Sequence, residues 1–156
     1  MEVLTKSTDE TKEFGKKIAT DLIRNQEAGI RNNGVVLALT GELGSGKTTF
    51  VQGLAEGLGI KQRILSPTFI LMRKYQLRIT NNELRITGFY HIDLYRLEEN
   101  VEDEVRNLGI EEFWKKPENI IAIEWAEKIK SIIPKNATWI EFKNMGEGKR
   151  RISFNH

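Results

Sequence analysis

The stretch Val35-Val36-Leu37-Ala38-Leu39-Thr40-Gly41-Glu42-Leu43-Gly44-Ser45-Gly46-Lys47-Thr48-Thr49 decides the fold. Its first five residues form an unbroken apolar run, the pattern of a strand covered on both faces. From Gly41 to Thr48 the chain then matches G-x-x-x-x-G-K-[ST]. The glycines of that pattern let backbone N–H groups turn inward and wrap phosphates at a helix N-terminus. Thr49 through Leu58 has helical periodicity and meets a stop signal at Gly59. Strand, glycine loop and helix thus follow in the order a phosphate loop requires. Glu42, Leu43, Gly44, Ser45, Gly46, Lys47, Thr48 and Thr49 form the expected nucleotide-binding set. Lys47 is expected to reach the β- and γ-phosphate oxygens, the Thr48 hydroxyl to ligate Mg²⁺, and Thr49 to help at the α-phosphate.

Upstream, Ser7-Thr8-Asp9-Glu10 fits a capping box, and Phe14, Ile18 and Leu22, joined by Ala19 and Ile23, recur at helical spacing through about Arg24. Asn32-Asn33-Gly34 separates this helix from the buried strand. Downstream, two β-rich runs, 69–79 and 84–92, flank Thr80-Asn81-Asn82-Glu83 and predict an antiparallel hairpin. Residues 101–114 are acidic and partly helical, and Ile120-Ile121-Ala122-Ile123 reads as a second buried strand. A short helix is expected over 126–133 before Pro134, and closing strands over 138–142 and 150–154. The expected fold class is α/β: a single phosphate-loop NTPase domain over residues 1–156, with a mixed, mainly parallel sheet flanked by helices and a β-hairpin.

Composition agrees. The 156 residues are 39% hydrophobic and 29% charged, a soluble globular balance that suits one domain and leaves little room for a second. The absence of cysteine excludes disulfides, thiolate zinc sites and a cysteine nucleophile, and fits a reducing compartment, the cytoplasm being the simplest. No apolar run at the amino terminus resembles a signal peptide, and no segment approaches the roughly 20 apolar residues of a membrane span, so no membrane role is expected. A net charge of +2 does not imply nucleic-acid binding, and Lys149-Arg150-Arg151 reads as a solvated strand end. No DNA partner is expected.

A phosphate loop needs an acid that holds magnesium or its waters, normally at the end of a neighbouring buried strand. Glu124 directly follows the run 120–123, and Asp93 ends the run Phe89-Tyr90-His91-Ile92. Both therefore stand at carboxyl ends of strands, where open α/β sheets bind ligands. Lys47, Asp93 and Glu124 are the expected catalytic residues, and Thr48, Glu124 and Asp93 the expected metal-binding ones. Which acid is the main magnesium ligand stays open. His91 shares a strand face with Asp93 and could orient it, or could be purely structural. Ser66-Pro67-Thr68-Phe69 lies where nucleotide switches often place a γ-phosphate-sensing hydroxyl, although Ser-Pro-Thr is also an ordinary turn.

"GELGSGKTTF", "SPTF", "YHIDLYRL" and "IEWAEKI", in this order and spacing, resemble the bacterial TsaE family, the small ATPases of tRNA threonylcarbamoyladenosine synthesis. The phosphate loop is widely shared, but "SPTF" and "H-x-D-L-Y-R" at this distance are specific. The resemblance spans nearly the whole chain and implies an ATP- and Mg²⁺-dependent protein with a mixed sheet. It further implies work with TsaD and TsaB, which transfer threonylcarbamoyl to tRNA adenosine, so that tRNA is met indirectly through the complex. On the same grounds Lys47 and Thr48 match the loop's working residues, Asp93 the aspartate of "HxDLYR", and Glu124 and Trp125 the "EW" pair. Ser66 and Thr68 match the segment near the nucleotide and partner surface, and Tyr95 and Arg96 are candidate partner contacts. The run 75–86 is longer than the family's usual connection.

Two other classes use the same loop. A small-molecule kinase would need an acceptor pocket and an arginine-bearing lid, and the arginines after the loop are scattered. A binding module would use ATP only to order a partner surface, without essential hydrolysis. No N-K-x-D guanine motif occurs, which favours adenine over guanine.

Overall fold

The apolar run after Gly34 forms the central strand of a seven-stranded sheet. In the computed structural model, which describes residues 1–27, 32–65, 71–81 and 84–155, the strands are β1 (Glu2–Thr5), β2 (Val35–Thr40), β3 (Met72–Asn81), β4 (Leu84–Asp93), β5 (Asn119–Glu124), β6 (Thr138–Gly146) and β7 (Lys149–Asn155). The helices are α1 (Thr8–Glu27), α2 (Lys47–Gly57), α3 (Val101–Asn107) and α4 (Ile110–Trp114). Spatial order is β1-β7-β6-β2-β5-β4-β3. The central strands β6, β2, β5 and β4 run parallel to one another; at one margin β7 runs antiparallel both to β6 and to the edge strand β1, and at the other β3 runs antiparallel to β4. The sheet is mixed around a parallel centre, and its hairpin is β3–β4.

Alternation along the central strands divides the core in two. Leu37, Leu39, Phe89, Ile120 and Ala122 face α1 and α2, together with Phe50 and Leu54. Val36, Ala38, Tyr90, Ile92, Ile121 and Ile123 face the other way, toward Val105, Ile110 and Trp114 of α3 and α4. Because β2 and β5 are covered on both faces, their sequences carry no polar alternation, as expected of parallel central strands.

Helices α1 and α2 pack at a glycine-lined crossing. A Cβ on Gly53 would fall 1.9 Å from the Lys12 carbonyl oxygen, and one on Gly15 would fall 2.3 Å from that of Phe50. At the start of α1, Ser7 Oγ accepts the Glu10 N–H at 3.1 Å, as the capping box predicts. The Glu10 carboxylate reaches one residue further back, accepting from the Lys6 N–H at 2.7 Å.

Some expectations change. Strand β1 has no counterpart in the sequence reading; it is a four-residue sheet edge paired with β7, too short to carry a period. The helix expected over 126–133 is a single 3₁₀ turn, Ala126–Ile129. Segment 101–114 divides at Gly109, whose φ of 75° ends one helix and starts the next. Ser66, Thr68 and the start of the first β-rich run lie outside the described residues, as does the hairpin tip at 82–83. Among the described residues no helix is long and apolar enough to cross a membrane.

Candidate nucleotide-binding site

Strand β2 delivers the chain into the loop between the ends of β5 and β6. Gly41, Gly44 and Gly46 all have positive φ, 139°, 76° and 104°, and Gly46 immediately precedes the first residue of α2. At Gly46 a side chain would be strained by the backbone, and its Cβ would lie in van der Waals contact with the Arg150 side chain, 3.4 Å from its Nε. The loop is closed internally by the Ser45 N–H donating to the Glu42 carbonyl at 3.1 Å.

Lys47 is only 4% exposed. Its Nζ donates to the carbonyls of Gly41 at 2.5 Å and Glu42 at 2.9 Å and to Ser45 Oγ at 3.3 Å, and lies 4.4 Å from the Trp125 ring centroid. Burial pushes its pKa below the usual lysine value, opposed by the negative charges of Glu124, Glu127 and Asp93. The ammonium is thus held in the loop, aimed along its carbonyls, at an electrostatic cost.

The next residue links the loop to the acids. Thr48 Oγ1 donates to Glu124 Oε1 at 2.7 Å, across 76 positions of sequence. The other oxygen, Glu124 Oε2, meets His91 Nε2 at 2.5 Å, and both side chains are buried. Asp93 stands beside Glu124 in register at the end of β4, and its Oδ1 accepts the Tyr95 N–H at 3.0 Å, turning the chain out of the strand. Lys128, from the 3₁₀ turn, donates to the carbonyls of Leu94, Tyr95 and Leu97 and fixes that turn against the end of β5. Trp125, at φ 61° in the left-handed region, packs against Tyr95 with the rings tilted by 41° and their centroids 5.3 Å apart. A non-glycine residue held there is a small store of strain beside the loop.

Most of these groups, but neither His91 nor Lys128, line one cleft of about 380 Å³. Leu43 through Thr49 form its floor, with Asp93, Tyr95, Arg96, Glu124 and Trp125 along one side. The side chain of Glu42 is exposed, and its carbonyl serves Lys47. Thr8, Thr11 and Arg150 line the opposite side. Nothing in the sequence singled out these three, since Thr8 and Thr11 read as a helix start and Arg150 as part of a basic strand end. His91 does share a face with Asp93, but its partner is Glu124, because parallel pairing of β4 with β5 sets the ring diagonally across from that carboxylate.

The donor set suits a hard divalent cation: the Thr48 hydroxyl and two carboxylates, all oxygen, at a loop built for phosphate. Among the described residues no group of three or more His, Asp or Glu side chains forms a cage by itself. Magnesium needs no such cage, since it is usually bound through one or two carboxylates together with substrate phosphates.

A glycine loop at the end of a central parallel strand, with a buried lysine and a hydroxyl tied to a strand-end carboxylate, defines a phosphate-loop nucleotide-binding protein. The profile of the family described as Threonylcarbamoyl adenosine biosynthesis protein TsaE matches residues 5–152. The chain belongs to the TsaE family and so to tRNA threonylcarbamoyladenosine biosynthesis. Among its relatives, the tRNA threonylcarbamoyladenosine biosynthesis protein TsaE of Bacillus subtilis is 37% identical over 135 residues, covering 86% of this chain and 78% of that one. The protein of the same name from Treponema pallidum is 38% identical over 120 residues, 77% of this chain and 81% of its own. The crystal structure of Bacillus subtilis YdiB superposes with a TM-score of 0.67 at 30% identity, over 99% of this chain and 83% of that one.

Proposed function

We propose that the protein binds ATP with Mg²⁺ in this cleft and hydrolyses it weakly by itself, faster in the company of TsaD and TsaB, in the cytoplasm. In this reading the whole chain, 1–156, acts as one domain, and threonylcarbamoyl transfer to tRNA adenosine belongs to the partners. The observation that carries the reading is the Thr48–Glu124 hydrogen bond, which joins the phosphate loop to a buried strand-end acid.

Lys47 is already held among the loop carbonyls, so it can turn to phosphate oxygens with little further ordering. Thr48 and Glu124 hold the metal or its waters, and Asp93, next in register, is the further acid. Magnesium bound there would neutralise charge on the β- and γ-phosphates. Ser66 and Thr68 are proposed to sense the nucleotide, and Tyr95, Arg96 and Trp125 to contact the partner. Tyr95 supports this by its exposure, 47%, at the rim of the cleft.

The test is ATP hydrolysis by wild type, Lys47→Ala, Glu124→Gln and Asp93→Asn, with and without TsaD–TsaB, alongside reconstituted tRNA modification. The expected result is phosphate release without any acceptor, stimulated by the partners and lost in Lys47→Ala and Glu124→Gln. Unchanged kinetics in both acid variants, or sustained modification cycles with a non-hydrolysable analogue, would overturn the hydrolytic part. Phosphate transfer to a small acceptor would favour a kinase instead.

A further inference from the structure

We propose that His91 is a positioning residue for Glu124, gripping that carboxylate by Oε2 so that Oε1 is presented to Thr48 and the phosphate end of the cleft. The proposal rests on the nucleotide reading above and assigns a task to a residue that reading leaves idle.

A glutamate side chain has three torsions, the last of them broad, so a strand-end carboxylate is not oriented by its backbone alone. Glu124 is oriented by two bonds of different origin. Thr48 on α2 takes Oε1 at 2.7 Å, and His91 on β4 takes Oε2 at 2.5 Å. Without His91, Oε2 would be a buried charged acceptor with one partner fewer, free to swing away from the loop. The geometry of the sheet makes the grip possible. His91 pairs with Ala122 in the β4–β5 register, and Glu124 is two residues further along the same face. Such diagonal neighbours are within reach of a long or aromatic side chain, and the methyl group of Ala122 leaves room for the ring to lean across.

The rest of the ring's surroundings leave it to Glu124. His91 is fully buried, and its Nδ1 has no hydrogen-bond partner among the described residues. Buried histidines kept for structure are normally satisfied at their polar atoms, and an orphaned one costs stability. Among the described residues Glu124 is the polar partner of the ring. That is the arrangement by which outer groups orient metal-binding carboxylates, where loss typically weakens metal affinity about 10–100-fold.

Two variants separate reach from bulk. The amide of His91→Gln extends about as far as the ring's Nε2, whereas that of His91→Asn stops near Nδ1; both are polar and neither overfills the site. The first measurement needs no nucleotide or metal: ¹⁵N-histidine NMR of the full chain, whose other histidine is His156. A slowly exchanging His91 Nε2–H resonance is expected, displaced in Glu124→Gln. A resonance that ignores Glu124→Gln overturns the proposal. The second is the magnesium concentration that half-saturates the tight binding of a fluorescent ADP analogue. His91→Asn is expected to raise it about 10–100-fold and His91→Gln only about threefold, with magnesium-free binding within about twofold throughout. Equal behaviour of Asn and Gln, or wild-type behaviour of Asn, also overturns it. If wild-type binding were indifferent to magnesium, the metal-dependent reading of the site would fall, and the NMR comparison would still decide whether His91 holds Glu124.

Discussion

Lys47 combines a charge with near-complete burial, and the sign of its pH dependence follows from that. Burial lowers its pKa from the ordinary 10.5, so below the depressed value the folded and unfolded chains both hold the proton. Between the depressed value and 10.5 the unfolded chain holds more protons, and stability contributed by this group rises with pH. Against Lys47→Met, wild type should therefore gain in relative melting temperature as the pH rises toward 10.5, read by thermal unfolding of both proteins. A wild type that loses melting temperature relative to Lys47→Met over that rise would mean that the lysine is not paying a desolvation cost. Thr48 makes a second case. Thr48→Ala removes the donor to a buried carboxylate and should cost about 1–3 kcal/mol in urea unfolding, while Thr48→Ser keeps the hydroxyl and should cost less. The loop conformation around both residues was legible from the loop pattern, because backbone geometry and residue type are local. Glu124 was expected beside the loop as a strand-end acid, but its direct hydrogen bond with Thr48 was not: the two are 76 positions apart, and the pairing of β2 with β5 brings them together.

At the scale of elements, legibility followed length and burial. Helix α1, strand β2, helix α2 and strand β5 carry long or fully apolar periods and their own stop signals, so they stand where the sequence puts them. Strand β1 and the 3₁₀ turn after β5 depend on what they pack against, and local pattern could not define them. The α1–α2 crossing is a further case in which tertiary contact overrides local preference. Glycine inside a helix costs about 1 kcal/mol relative to alanine, so propensity alone recommends Gly53→Ala. The Lys12 carbonyl, 1.9 Å from where the new Cβ would stand, forbids it. Gly53→Ala should therefore destabilise by about 1–3 kcal/mol or more, as overpacking does, measured by urea unfolding. A stabilised variant would mean that the two helices can slide apart without loss. Ser7→Ala, which removes the cap on the Glu10 N–H, should cost about 1 kcal/mol on the same assay.

For the whole molecule, the cleft is assembled from distant parts of the chain. Its floor follows β2, its acids end β4 and β5, and its far side comes from the start of α1 and from β7. These parts meet through a single sheet, so a ligand in the cleft should stabilise all of them together. A ligand present at 100 times its dissociation constant adds about 2.7 kcal/mol to the folded state. For a chain of this size each kcal/mol raises the melting temperature by roughly 2–4 °C. Saturating ATP with Mg²⁺ should thus raise the midpoint by roughly 5–10 °C at that ratio. If residues 1–156 behave as one cooperative domain, calorimetry should show a single transition that moves as a unit. Two transitions, of which nucleotide shifts only one, would show that part of the sheet folds independently of the loop. Lys47→Met should abolish the shift, since its ammonium is the cation buried in the loop itself, without removing the cooperative transition. A shift preserved in that variant would place the nucleotide somewhere other than the cleft.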